Sequence, residues 1–348
     1  MKSAVSRVEP LTFPMKTLDP FLFCVYHRDL YPAGDEKMQA PRKGNGADFN
    51  PSAPYRMYHG DRVPGFPQHP HRGFETVTAT VKGLIDHTDS HGNAGRYGHG
   101  DLQWMTAGKG VVHGEMFPLV NPDKPNPLTL FQIWLNLPKV SKMVEPAFKM
   151  HWAEDIPKVV TDEGKVKVTV WAGSFGGKVA LTPTPDSWAM NPRSNLGIYY
   201  IIIQPGGKVT LPGVSDGDNT LVNRMAYFVE GSNLQITGQN IPPSTGVTLN
   251  AALDAEFCNN NSDGEPAELL ILQGSPIGEP VAQRGPFVMN TDQEIQQAFM
   301  DYQRTQFGGW PWPQDAMVFP REKGRFAVEN GVEAYPPVAV ASADVPDL

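Results

Sequence analysis

Residues 66–83 read Phe66-Pro-Gln-His69-Pro-His71-Arg72-Gly73-Phe74-Glu75-Thr76-Val77-Thr78-Ala79-Thr80-Val81-Lys82-Gly83. The second half alternates strictly, setting Val77, Ala79 and Val81 on one face of a strand and three threonines on the other. In the first half His69 and His71 stand two residues apart, so an extended backbone turns both imidazoles to the same side. A second stretch, Val111-Val112-His113-Gly114-Glu115, repeats the arithmetic and puts His113 and Glu115 on one face. Two antiparallel strands that each present two donors inward can surround one ion. Neutral imidazoles with a carboxylate suit a borderline divalent metal, and iron where coordination positions stay open. Glu75 competes as the carboxylate, because it shares parity with both histidines if the strand runs unbroken through Gly73.

Outward from these two stretches the chain keeps the character of strands. Phe131–Leu137, Lys165–Trp171 and Ile198–Ile203 read as strands, several apolar on both faces, as in a wall covered on both sides. Turn signals such as His91-Gly92-Asn93 and Pro205-Gly206-Gly207 separate them, and 34 glycines and 34 prolines suit many short strands. The 348 residues suggest two domains. Val81-Lys82-Gly83 is echoed 148 positions later by Val229-Glu230-Gly231, which points to two similar units in tandem. The expected division is a first barrel over 1–150, a second over 151–308, and an extended tail over 309–348, with the boundary near Met150 to Pro157. Thr291-Asp-Gln-Glu294 has capping-box spacing, and Ile295, Ala298, Phe299 and Tyr302 form the apolar stripe of one late helix. All nine histidines lie at or before position 151, so the second barrel is expected to hold no histidine-rich metal site.

A formal charge of −8 argues against a general nucleic-acid surface, and Arg321, Lys323 and Arg325 read as a solvated segment. Two cysteines, Cys24 and Cys258, give no disulfide framework and no thiolate zinc site. The first residues lack the apolar core of a signal peptide, and no apolar run is long enough to span a bilayer, so an intracellular protein is expected. Of the remaining histidines, His87 and His91 flank Asp89 in a polar turn and His99 sits between glycines; all three read as exposed. His27 and His59 have no partner at ligand spacing. Phe66, Arg72 and Phe74 bracket the first histidine pair and are placed to orient the ligands. Trp104 and Met105 read as core, with an apolar wall for a planar substrate as the alternative.

The spacing H-x-H-x3-E from His69, followed by Gly100-Asp101 and His113, resembles the two motifs of the cupin superfamily. The segments FPQHPHRGFETV, GDLQWMTAGKGVVHGEM, LFQIWLNLP, KMVEPAF and GPFVMNT resemble the pirin family of bicupins, over roughly residues 19–154 and 266–308. That resemblance implies an all-β protein of two tandem cupin barrels, with one iron ion in the first and none in the second. It implies His69, His71, His113 and Glu115 as ligands, with Glu115 also the catalytic base, and moves Glu75 out of the ligand set. It further implies two functions. One is quercetin 2,3-dioxygenase chemistry on a flavonol-like substrate; the other is an iron-dependent, non-catalytic role as a partner of transcription factors or other proteins, in the cytoplasm or nucleus. An enzyme acting on an unrelated small molecule is a third.

Overall fold

The computed structural model describes residues 3–41, 49–50, 52–214 and 221–338. Ten strands open the chain: β1 (Val5–Pro10), β2 (Phe21–Tyr31), β3 (Gly65–His71), β4 (Phe74–Lys82), β5 (Leu84–Asp89), β6 (Ala94–Gly98), β7 (Leu102–Thr106), β8 (Val111–Met116), β9 (Asn126–Asn136) and β10 (Ala147–His151). Nine of them build the first barrel from two facing sheets. One runs β10-β7-β4-β9-β2; the other runs β6-β5-β8-β3 and is extended past β6 by Phe326–Glu329 and Val332–Ala334. The second barrel pairs a seven-stranded sheet with a four-stranded one built around Lys208–Leu211 and Ala255–Cys258. Its interior is filled by Val168, Ile201, Phe228, Ile271 and their neighbours. The only α-helix among the described residues is α1 (Asp292–Thr305), and no helix there is long and apolar enough to cross a membrane.

The doubly apolar strands have a simple cause. The five-stranded sheet of the first barrel packs its outer face on the seven-stranded sheet of the second. Val77, Ala79, Phe131 and Ile133 meet Ile198, Tyr200, Tyr227 and Leu270 there, with Trp171 stacked on Tyr200 at 5.5 Å. The alternation in β4 therefore sorts two buried environments rather than core from water. Val77 and Ala79 seal the contact between barrels, while Thr76, Thr78 and Thr80 turn into the first barrel.

Two segments cross between the halves of the chain. β1, the first strand, pairs with Thr245–Asn250 in the second barrel's sheet. The segment after Gly308, expected as an extended tail, instead adds Phe326–Glu329 antiparallel to β6, and buries Phe319 and Phe326 against Ala94. Arg321, Lys323 and Arg325 are correspondingly not a solvated run. Arg325 pairs with Asp101 and Glu154, Arg321 reaches the carbonyl of Val120, and Lys323 sits over the Phe326 ring and pairs with Glu333. Residues 339–348, the rest of the expected tail, lie outside the described residues. Helix α1 starts on the capping box of Thr291 and Glu294. It buries Ile295 and Ala298 against Val112 of β8, while Phe299 lies on Phe287 and stays 42% exposed.

Candidate metal centre

Strands β3 and β8 run antiparallel with His69 directly opposite His113. His71 shares the face of His69 by parity, and the nitrogen donors of His69, His71 and His113 all lie within 4.8 Å of one another. Two of the imidazoles are oriented for a positive ion by backbone carbonyls. His69 Nδ1 faces the Pro67 carbonyl at 2.8 Å and His71 Nδ1 the Pro286 carbonyl at 3.4 Å, which fixes the proton on Nδ1 and leaves Nε2 with a lone pair. Burial holds all three rings neutral: His69 is pushed down to about 4, His71 and His113 well below the usual range. His113 is fully buried, and neither of its ring nitrogens has a hydrogen-bond partner. Buried polar atoms are rarely left unpaired, so this donor set fits a borderline divalent metal.

Glu115 shares the face of His113, but its carboxylate stands outside the group of donors within 4.8 Å. Oε1 accepts from Thr78 at 3.0 Å and Tyr97 at 3.3 Å, and Oε2 accepts from Gln132 at 3.3 Å. Burial pushes its pKa up, which makes the carboxylate a stronger base. Glu115, His69 and His71 all line one cavity of about 140 Å³, otherwise walled mainly by Phe13, Phe23, Phe49, Phe66, Phe117 and Trp134.

Glu75 does not line this cavity. β3 ends at His71 and β4 begins at Phe74, and Gly73 between them has a φ of +84°. That break reverses the parity on which Glu75 would have joined the histidines. A Cβ at Gly73 would meet the Val288 carbonyl at 1.9 Å, so no other residue fits the turn. Glu75 points into the contact between barrels, accepting from Trp104, Thr106, Thr184 and Ser187.

Other expected neighbours of the site are redistributed. Phe66 lines the cavity, and Phe74 backs His71 and Trp134 at 5.0 and 4.4 Å. Arg72 turns away to Asp301 of α1 at 2.8 Å, with its guanidinium over Phe307. Trp104 belongs to the contact between barrels, and Met105 packs with Ala107 and Val111, so neither walls the cavity. His87, expected in an exposed turn, is fully buried. The turn begins only at Ser90, so His87 is still in β5, opposite Glu115, where parity points it inward. It bonds Gln103 through Nδ1 and stacks on Phe148. His91, His99 and His59 are exposed. His27, dismissed for want of a partner at ligand spacing, is buried at the cavity wall, bonded to Tyr58 at 2.6 Å. Of Thr78, Tyr97 and Gln132, which hold Glu115, Gln132 lies in the stretch LFQIWLNLP and Thr78 has inward parity in β4, but no sequence signal ties any of the three to the carboxylate.

Comparison with known proteins agrees with this architecture. Residues 12–135 match the model of the Pirin family, and residues 201–308 match that of the Pirin C-terminal cupin domain. The chain is 38% identical to Pirin-1 of Arabidopsis thaliana, over 70% of this chain and 78% of that one. It is 33% identical to Pirin of Homo sapiens, over 75% and 84%. A crystal structure of quercetin 2,3-dioxygenase from Acinetobacter baumannii superposes with a TM-score of 0.69 at 25% identity, covering 89% of this chain and 99% of that one.

Proposed function

The chain belongs to the pirin family, and on that premise we propose that it is an iron-dependent dioxygenase that opens flavonol-like substrates. The observation that carries the reading is the pair of unpartnered nitrogens on His113, buried against His69 and His71, which line an apolar cavity. His69, His71 and His113 would hold the metal, with Glu115 as fourth donor once its carboxylate leaves Thr78. The metal supplies Lewis acidity and open positions for a chelating substrate and dioxygen.

The protein's own groups supply the rest. Glu115 takes the proton from the flavonol hydroxyl, and its raised pKa brings it nearer to the acidity it must match. Thr78, Tyr97 and Gln132 return the carboxylate to one position after each transfer. The phenylalanine walls and Trp134 exclude water from the reacting ring. In the overall change, flavonol and dioxygen give a ring-opened ester and carbon monoxide.

One observation favours a second reading. The cavity of about 140 Å³ is smaller than the roughly 300–1,000 Å³ usual for pockets that enclose drug-sized ligands. Dioxygen fits it as it stands; a flavonol requires Phe13 and Phe49 at its edge to move. A metal-dependent protein partner with no substrate would need no such room. The deciding experiment is dioxygen uptake and carbon monoxide release by iron-loaded protein given quercetin. If it neither consumes dioxygen nor binds quercetin, while loaded and stripped forms differ in affinity for a protein partner, the enzyme reading fails.

A further inference from the structure

The second barrel opens at the place where the first has its metal cavity, and the residues facing that opening differ in kind. The strand pairing gives the correspondence. In β4 the register slips between Thr80 and Lys82; in Asn223–Glu230, 148 residues on, it slips between Phe228 and Glu230. On this match Thr76, opposite Trp134, corresponds to Arg224, opposite Gln273. Likewise Val25, opposite Gln132, corresponds to Tyr199, opposite Ile271. Val25, Gln132 and Trp134 line the metal cavity. Arg224, Gln273 and Tyr199 line a cavity of about 540 Å³, a size within the range that encloses small organic ligands.

Arg224 is 1% exposed. Nε donates to Gln273 Oε1 at 2.8 Å, Nη2 to the Pro212 carbonyl at 2.8 Å, and Nη1 to the Leu253 carbonyl at the long distance of 3.5 Å. All three acceptors are neutral, and among the described residues no carboxylate forms an ion pair with it. A guanidinium has five N–H donors, so two remain beyond these three bonds. A buried charge with no ion pair is costly: burial brings this one down to about 10, and Asp254, whose Oδ1 accepts from the Gly213 N–H, offsets that only in part, from a distance. No lysine lines the cavity, and Phe175, Leu196 and Leu211 give it apolar walls. A single cation calls for a single negative charge, and the walls call for an apolar body. We propose that the mouth of the second barrel binds a monocarboxylate with a ring-sized apolar body, its carboxylate seated on Arg224. The site shares no residue with the metal cavity, so it stands or falls apart from the dioxygenase reading.

The test is calorimetric titration of the full-length protein with 1-naphthoate, its neutral counterpart 1-naphthamide, and inorganic phosphate. Naphthoate should fill one site, with naphthamide and phosphate weaker by about tenfold or more, because a charge-assisted bond is lost or its geometry is wrong. Arg224→Gln should weaken naphthoate by about tenfold or more, while His113→Ala leaves it unchanged. If Arg224→Gln does not fold, Val179→Glu serves instead: Val179 lies on the rim and is 71% exposed. It should weaken naphthoate by like-charge repulsion and leave naphthamide alone. Absent naphthoate binding, equal binding of the amide, tighter binding of phosphate, indifference to both substitutions, or loss in His113→Ala would each overturn the proposal.

Discussion

Replacing His113 by leucine should make the metal-free protein more stable while abolishing its response to metal. His113 is fully buried and neither ring nitrogen has a partner; each such group costs about 1–3 kcal/mol in the folded state. Leucine is close in size and carries no polar atom, so the penalty disappears; misfit against the neighbouring rings returns about 1–3 kcal/mol of it. The net expectation is a gain of about 1–2 kcal/mol. For a unit the size of the first barrel that raises the melting temperature by roughly 2–8 °C. The wild-type protein, by contrast, should gain about 2.7 kcal/mol when free metal is at a hundred times its dissociation constant. The assay is thermal unfolding of both proteins in chelator and in excess ferrous iron. A metal-free variant that melts below wild type would refute the argument from unpartnered nitrogens. A variant that still rises with iron would remove His113 from the ligand set.

Four further outcomes follow from the same structure. Glu115→Gln should cut metal affinity or turnover, whereas Glu75→Gln, buried between the barrels, should lower stability and leave metal stoichiometry intact; plasma emission on both variants separates them. His151, buried and facing the Thr182 carbonyl, is held down to about 4; its contribution is full above its unfolded pKa near 6.5 and is lost as pH falls toward 4. Between those values wild type should therefore lose about 1.4 kcal/mol per pH unit more than His151→Gln in urea titrations, and parallel curves would contradict this. Phe49→Ala should enlarge the 140 Å³ cavity and lower the KM for quercetin; an unchanged KM means the wall does not limit entry. Truncation after Gly309 removes the bonds from Gln68 to Asp315 and from Trp312 to the Asp89 carbonyl, along with four backbone acceptors of Arg96. The shortened chain should lose its metal, measured by stoichiometry, before it loses all far-ultraviolet signal.

The pairing of His69 with His71 and of His113 with Glu115 on common faces was legible because strand parity is a local rule. It failed at one point, Gly73, where a single positive φ ended one strand and began the next with the opposite sense. His87 is obscured for a related reason: its polar neighbours read as a turn, whereas β5 continues to Asp89. The tandem architecture was visible in the strands apolar on both faces, and the repeat of Val81-Lys82-Gly83 carried the register slip with it. Contacts across long separations left no trace in the sequence. Nothing marks Pro286 as the acceptor for His71, Asp301 as the counter-ion of Arg72, or Phe326 as the neighbour of β6, because each depends on which sheets meet.

The exchange of end strands between barrels bears on how the molecule comes into being. A ribosome releases β1 first, yet its partner Thr245–Asn250 emerges some 240 residues later. The three histidines of the candidate site are all out by residue 113, but Pro286, whose carbonyl faces His71, and Phe326, which begins the strand paired with β6, emerge 173 and 213 residues later. Chains of this size ordinarily fold domain by domain as they are made. Here neither half can be finished ahead of the other, so a nascent chain stalled midway carries histidines without a completed cradle. A metal held by these histidines would therefore enter only once Phe326–Glu329 has joined β6, so that loading follows the pairing of that strand rather than the synthesis of the donors.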